Sequence, residues 1–186
     1  MQEARGKEVG ARGQDARQRR PQAVETLGYG NATVEQEGAD LIAGGSIDVV
    51  RLLVAHGADI DRPTTQYGGA MGFAAHFDRR DIAAVLAPLS RDVCSLTYLG
   101  MAERLRELFA EDPQLVNAVA PRAGVTPLFC LPDDEDAAVA ITRLLLEHGA
   151  DPNIVNRESL TAEQHARRRG LIGAADLMSG DESPET

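Results

Sequence analysis

The chain of 186 residues has no tryptophan, two cysteines and a single lysine, and aromatic side chains make up 4% of it. Each shortage excludes something. Cys94 and Cys130 are too few for a disulfide framework and read as small apolar fillers. No apolar run approaches the ~18 residues of a membrane span, and the N-terminal region has no secretory apolar stretch. No Walker loop, H-E-x-x-H, G-x-S-x-G or paired C-x-x-C occurs. Tyr67-Gly-Gly-Ala-Met-Gly72 is rich in glycine but lacks the phosphate-loop lysine and follows no strand, so it reads as a flexible finger and a helix start. These absences point to a soluble cytoplasmic protein with no metal and no cofactor.

Apolar residues make up 43% of the sequence, enough for a sizeable core. The length suits one domain with tails, at ~150 residues per domain. Charge is unevenly placed. Residues 1–20 carry six basic side chains against three acidic ones, so of a net charge of −10 the remaining residues carry −13. A body that acidic argues against a nucleic-acid binder, which needs a basic stripe. Residues 1–35 are polar, show no apolar period and read as a disordered N-terminal tail, with a basic arm for an acidic partner as the alternative. Residues 179–186 read as a short acidic tail.

Between the tails the sequence repeats. Ile47-Asp-Val-Val-Arg-Leu-Leu-Val-Ala-His-Gly-Ala-Asp-Ile60 matches Ala140-Ile-Thr-Arg-Leu-Leu-Leu-Glu-His-Gly-Ala-Asp-Pro-Asn153. A diverged copy runs from Asp81 to Val93. Val49, Val50, Leu52 and Leu53 set a wide apolar stripe on a short helix. Gly57 and Gly149 follow such helices where the chain must enter the left-handed region. Thr126-Pro127 and Thr161-Ala162 open the next helices, threonine as cap and proline in the first turn.

Gly124-Val-Thr-Pro-Leu128, the two Gly-Ala-Asp turns and Ala74-Ala75 together resemble the ankyrin repeat of bacterial-type ankyrin-repeat proteins, over residues 36–178. The resemblance implies an all-α solenoid of about five stacked helix pairs. Unit starts fall near 36, 69, 91, 126 and 161, giving steps of 33, 22, 35 and 35 residues. The step of 22 leaves no room for a finger hairpin between Leu86 and Leu96, so one finger is missing. The third unit replaces the Gly-Ala-Asp turn with Glu111-Asp-Pro-Gln-Leu-Val-Asn117, and Pro132-Asp-Asp-Glu-Asp136 interrupts the fourth. Leu41-Ile42 stand where small alanines are usual, which makes the first unit degenerate.

His56 and His148 precede the turn glycines, where an imidazole complements a helix C-terminus better than it supplies a metal ligand. Asp133-Asp-Glu-Asp136 lacks the alternating ligand pattern of a Ca²⁺ loop and reads as the acidic N-terminus of the following helix, with Asp134 or Asp136 as cap.

The resemblance implies a non-catalytic module that binds a protein partner on its concave face, and neither nucleic acid nor membrane. Counted from the threonine, the fifth, eighth and ninth residues of each unit face that side. They are Phe73, His76 and Phe77, then Ser95, Tyr98 and Leu99, then Cys130, Asp133 and Asp134, then His165, Arg168 and Arg169. The expected partner-binding residues are Tyr67 in the finger before the second unit, Phe73, His76, Phe77, Tyr98, Asp133, Asp134 and Arg168. Two alternatives remain open at this level. One is a small metal- or carboxylate-dependent enzyme centred on Asp133–Asp136 with His165 or His76; the other is a subunit that self-associates through the degenerate first unit.

Overall fold

The computed structural model describes residues 46–62, 69–121 and 123–180. The N-terminal tail, residues 181–186 of the C-terminal tail, the opening helix of the first unit and Tyr67 lie outside the described residues, while Ser179 and Gly180 belong to the last helix and its cap. Among the described residues eight α-helices follow one another: α1 (Ile47–Ala55), α2 (Ala70–His76), α3 (Arg80–Leu86), α4 (Val93–Tyr98), α5 (Ala102–Glu111), α6 (Glu135–Glu147), α7 (Ala162–Arg169) and α8 (Ile172–Ser179). Two 3₁₀ turns, Pro113–Asn117 and Pro127–Phe129, complete the set. Among the described residues there is no regular strand, only an isolated antiparallel bridge between Val155 and Thr161. The architecture is the all-α stack of helix pairs that the repeat implied.

Local chemistry sets the ends of these helices. His56 and His148 each place Nδ1 2.8 Å from the carbonyl four residues back, of Leu52 and Leu144 respectively. The imidazole thus donates to a carbonyl of the last turn that also accepts from the histidine's own amide. Gly57 and Gly149 follow at φ +79° and +88°, the left-handed turn that a Cβ would oppose. Thr161 caps α7 and Gln164 reaches back to it, closing a capping box. Asp92 caps α4 through the Ser95 amide, and Asp134 caps α6 through the Ala137 amide.

The 22-residue step has the expected consequence. Leu89 and Ser90 turn back on the Leu86 carbonyl, and α4 begins at Val93 with no hairpin between. Asp61, in the loop after α1, accepts from the Ser90 hydroxyl at 2.6 Å and the Arg91 amide at 2.7 Å, and so bridges to this short connection. The later fingers persist as minimal turns. Ala120 donates to the Val125 carbonyl in one, and Asn156 to the Leu160 carbonyl in the other. Asn117 joins them, donating to the Gly149 carbonyl at 2.9 Å and accepting from the Asp151 amide at 2.8 Å.

The fourth unit departs from the expected helix pair. Its inner element is the single turn Pro127–Phe129, and Thr126 makes no side-chain cap. The Thr126 hydroxyl is buried without a partner. Pro132 is the physical reason, because a proline disfavours helical backbone at the preceding Leu131 and removes a donor. The chain is therefore turned out at Leu131–Asp134, which brings two carboxylates to the inner surface.

The core runs along the stack as one continuous cluster, from Met71 and Ile82 through Leu96, Leu105 and Leu108 to Leu128, Leu145 and Ala174. Each unit buries its apolar stripe against its neighbours, as a solenoid must. Among the described residues no helix is long and apolar enough to cross a membrane.

Candidate functional site

A groove of about 590 Å³ opens across three consecutive units. The second unit lines it with Ala75, His76, Asp78 and Arg80, the third with Tyr98, Leu99 and Gly100, and the fourth with Pro132, Asp133, Asp134 and Ala137. Its lining mixes small and apolar residues with charged ones. The connection Pro132–Asp134 and the first turn of α6 supply one wall, and the end of α4 supplies another.

One hydrogen-bonded group ties the far wall together. Tyr98 donates its hydroxyl to Asp133 Oδ2 at 2.9 Å, and Arg169 donates Nη2 to Asp133 Oδ1 at 2.7 Å. The same guanidinium donates to the Leu131 carbonyl at 2.9 Å and the Pro132 carbonyl at 3.3 Å. The third, fourth and fifth units are thus linked through one carboxylate. Arg169 first, and the Tyr98 hydroxyl second, hold Asp133 below the usual carboxylate range. Asp133 in turn, with burial, pushes the Tyr98 hydroxyl up. A carboxylate held charged by two donors is an anchor for polar groups and a poor proton donor.

Other charges of the rim are also engaged. Arg80 pairs with Asp78 at 3.1 Å, and Asp134 spends one oxygen on its helix cap. His165, on α7, has its pKa lowered by burial first and by Arg169 second, against an opposing pull from Glu158. Its ring lies 5.7 Å from that of Phe129. Among the described residues no group of three or more histidines, cysteines, aspartates or glutamates could hold a metal ion.

Of the residues expected from sequence, His76, Tyr98, Asp133 and Asp134 come together in the groove. Phe77 stands beside them, 42% exposed, with the His76 ring edge-on at 4.9 Å. Phe73 is only 4% exposed and stacks parallel to Phe77 at 6.3 Å, so it belongs to the core. Arg168 points away to Glu158, 3.8 Å distant, and it is Arg169 that reaches Asp133. Both arginines occupy inner positions of the unit, so the count indicated the pair without separating them. Asp78 and Arg80 were not expected. They follow Phe77 directly, where Asp78 adopts φ +50° and turns the chain into α3.

The ionisation of Asp133 gives a direct check. Its side chain is 74% exposed, so solvent screens the pair and its effect on stability is small. Because its folded value is depressed, that contribution is present above the ordinary aspartate range and is lost as pH falls through the folded value. The Asp133 carboxyl carbon, followed by NMR, is expected to titrate below an ordinary aspartate. Arg169→Ala is expected to move it back up, and an unchanged titration in that variant would remove the arginine from the account.

The fold and groove define a stack of ankyrin type with a mixed polar and apolar inner surface. Residues 124–157, the fourth unit with its following finger, match the family model of the ankyrin repeat. A solved structure, "Bd0816 Predatory Endopeptidase from Bdellovibrio bacteriovorus in complex with immunity protein Bd3460", contains a chain of similar fold. The similarity has a TM-score of 0.53 and 20% identity, and covers 78% of this chain and 80% of that one. No curated protein matches the sequence.

Proposed function

We propose that this chain is a non-catalytic ankyrin-repeat module that captures a protein partner in the groove between the second and fourth units. The observation that carries the reading is the groove itself. It sets the exposed Tyr98 beside charged groups on a surface shared by three units, and the exposed Phe77 packs on the ring of its lining residue His76. Aromatic anchors next to charge are the usual centre of a protein interface. The ankyrin-repeat match supports this use, and the similar chain comes from a structure whose title names two proteins in complex. Satisfied donors around Asp133 favour binding over proton transfer. The acidic net charge of −10 disfavours a nucleic-acid partner.

A benzophenone side chain in place of Tyr98 tests the proposal in the native cell. On illumination it is expected to yield a discrete crosslinked protein. The same group at Arg143, exposed on α6 outside the groove, is expected not to yield that species. No crosslink from position 98, or identical products from both positions, would overturn the assignment of the groove.

A further inference from the structure

The chain separates its charge. Residues 12–20, outside the described residues, hold Arg12, Arg17, Arg19 and Arg20 against Asp15 alone, a local balance of +3. Residues 46–180 hold 19 acidic side chains against 13 basic ones, a balance of −6. Within that body the groove gathers three exposed carboxylates, Asp78, Asp133 and Asp134, and among its lining residues only Arg80 opposes them. Asp133 already takes a guanidinium, that of Arg169 at 2.7 Å. A carboxylate oxygen accepts through two lone pairs, and Asp134 commits one oxygen to the Ala137 amide, so this wall keeps capacity for further donors. Tyr98 lines the same space, and Phe77 packs on the ring of His76. Carboxylates beside exposed aromatic rings suit a guanidinium, which takes forked hydrogen bonds and stacks on ring faces. A second concavity of about 350 Å³ between α5 and α6 lacks that combination. Its lining has no aromatic ring, and Asp136 and Glu147 are matched there by Arg106 and Arg143.

We propose that the groove docks the basic arm of its own chain, residues 12–20, as an internal competitor for the partner. The proposal rests on the reading of the groove as a capture surface and adds its regulation. Charge selects this occupant, because Arg17-Gln-Arg-Arg20 places three guanidinium groups within four residues and the groove offers three carboxylates. Chain length permits it. Arg20 stands 26 positions before Ser46, where the described body begins, an extended span of up to ~90 Å. The groove starts in the next unit of the stack, only a few helix layers of ~10 Å away. The joining residues 21–45 carry four acidic side chains and no basic one, so they share the sign of the groove and do not compete for it. Each exposed ion pair contributes little alone. Tethering offsets that weakness, since it sets a local concentration on the order of millimolar, roughly a thousandfold above a ~1 μM second copy. An arm held by several weak contacts is also displaced readily by a partner with its own anchors on Phe77 and Tyr98.

The probe is a benzophenone side chain in place of Gln18, illuminated in the purified full chain at ~1 μM and low salt. Cleavage after glutamate followed by mass spectrometry is expected to show peptide 9–25 joined to peptide 38–103 or 112–135 of the same chain. The insertion sites are expected at residues 75–80, 98–100 or 132–134. Arg17→Gln, Arg19→Gln and Arg20→Gln together lie before α1 and leave the packing untouched; they are expected to lower the yield at least ~10-fold, and 0.5 M salt to lower it several-fold. Insertion into residues 21–45 or across α7 and α8, or a yield indifferent to the three substitutions, would overturn the docking. A crosslinked dimer would give the groove to a second copy and overturn the intrachain occupant. In the native cell, the same three substitutions are expected to raise partner crosslinking from position 98 at least ~3-fold, because the competent fraction of grooves rises. Unchanged crosslinking there would overturn the arm as a competitor. Arm insertion into the groove with no partner captured at position 98 in any variant would support the docking and remove only the capture reading.

Discussion

Leu145→Ala is expected to lower the unfolding free energy by about 3–4 kcal/mol, read from urea denaturation of the full chain. Leu145 is 0% exposed near the end of α6, which packs both along α8 and on the Pro127–Phe129 turn. Truncation removes the transfer free energy of the lost methyl groups and leaves a cavity that surrounding helices cannot close fully. A loss of that size is a large fraction of the ~5–15 kcal/mol that holds a typical domain together. In a stack stabilised by neighbouring interfaces, the damage falls on the coupling between the fourth and fifth units. The urea dependence is therefore expected to become shallower as the C-terminal helices open separately. Leu52→Ala is the control, since its side chain is 58% exposed on α1, and is expected to change stability by no more than ~0.5 kcal/mol. A Leu145→Ala effect below ~1 kcal/mol would contradict the packing of α6 at the centre of the C-terminal units.

What could be read from sequence divides along physical lines. The Gly-Ala-Asp turns were legible because their signals are local: a histidine that reaches back four residues and a glycine that accepts a positive φ. The missing finger was legible as arithmetic, since 22 residues cannot hold two helices and a hairpin. The inner element of the fourth unit was misjudged because Thr126-Pro127 resembles a helix opening. Pro132, five residues further on, carried the decisive signal. At the groove, the repeat count found His76, Tyr98, Asp133 and Asp134 but could not separate Phe73 from Phe77. Both fall on one side of α2 and its cap, and only packing against the next unit decides which is buried. Nor could it choose between Arg168 and Arg169, because the choice is made by the Leu131 and Pro132 carbonyls of a different unit. Spacing alone does not place side chains.

Phe77→Ala combined with Tyr98→Ala is expected to abolish partner capture while lowering stability by no more than ~1–2 kcal/mol. The side chains are 42% and 38% exposed, so truncation opens little of the core, and Phe73 still fills the space beneath. Asp133 loses the Tyr98 hydroxyl but keeps Arg169 at 2.7 Å, so the turn at Leu131–Asp134 stays pinned to α7. The effect on binding is larger because aromatic anchors concentrate interface energy. Each such residue is worth ~2 kcal/mol or more on truncation, and two together lower affinity by about a hundred- to a thousandfold. Tyr98→Phe separates the ring from the hydroxyl. It removes the bond to Asp133 but keeps the apolar surface, and is expected to weaken capture less than the double variant does. The measurement pairs recovery of the crosslinked partner with urea denaturation of each variant. Undiminished capture by the double variant would place the interface elsewhere on the stack. Loss of capture that tracks loss of folded protein would reduce the two aromatics to packing residues. A folded double variant that no longer holds its partner is the outcome the groove requires.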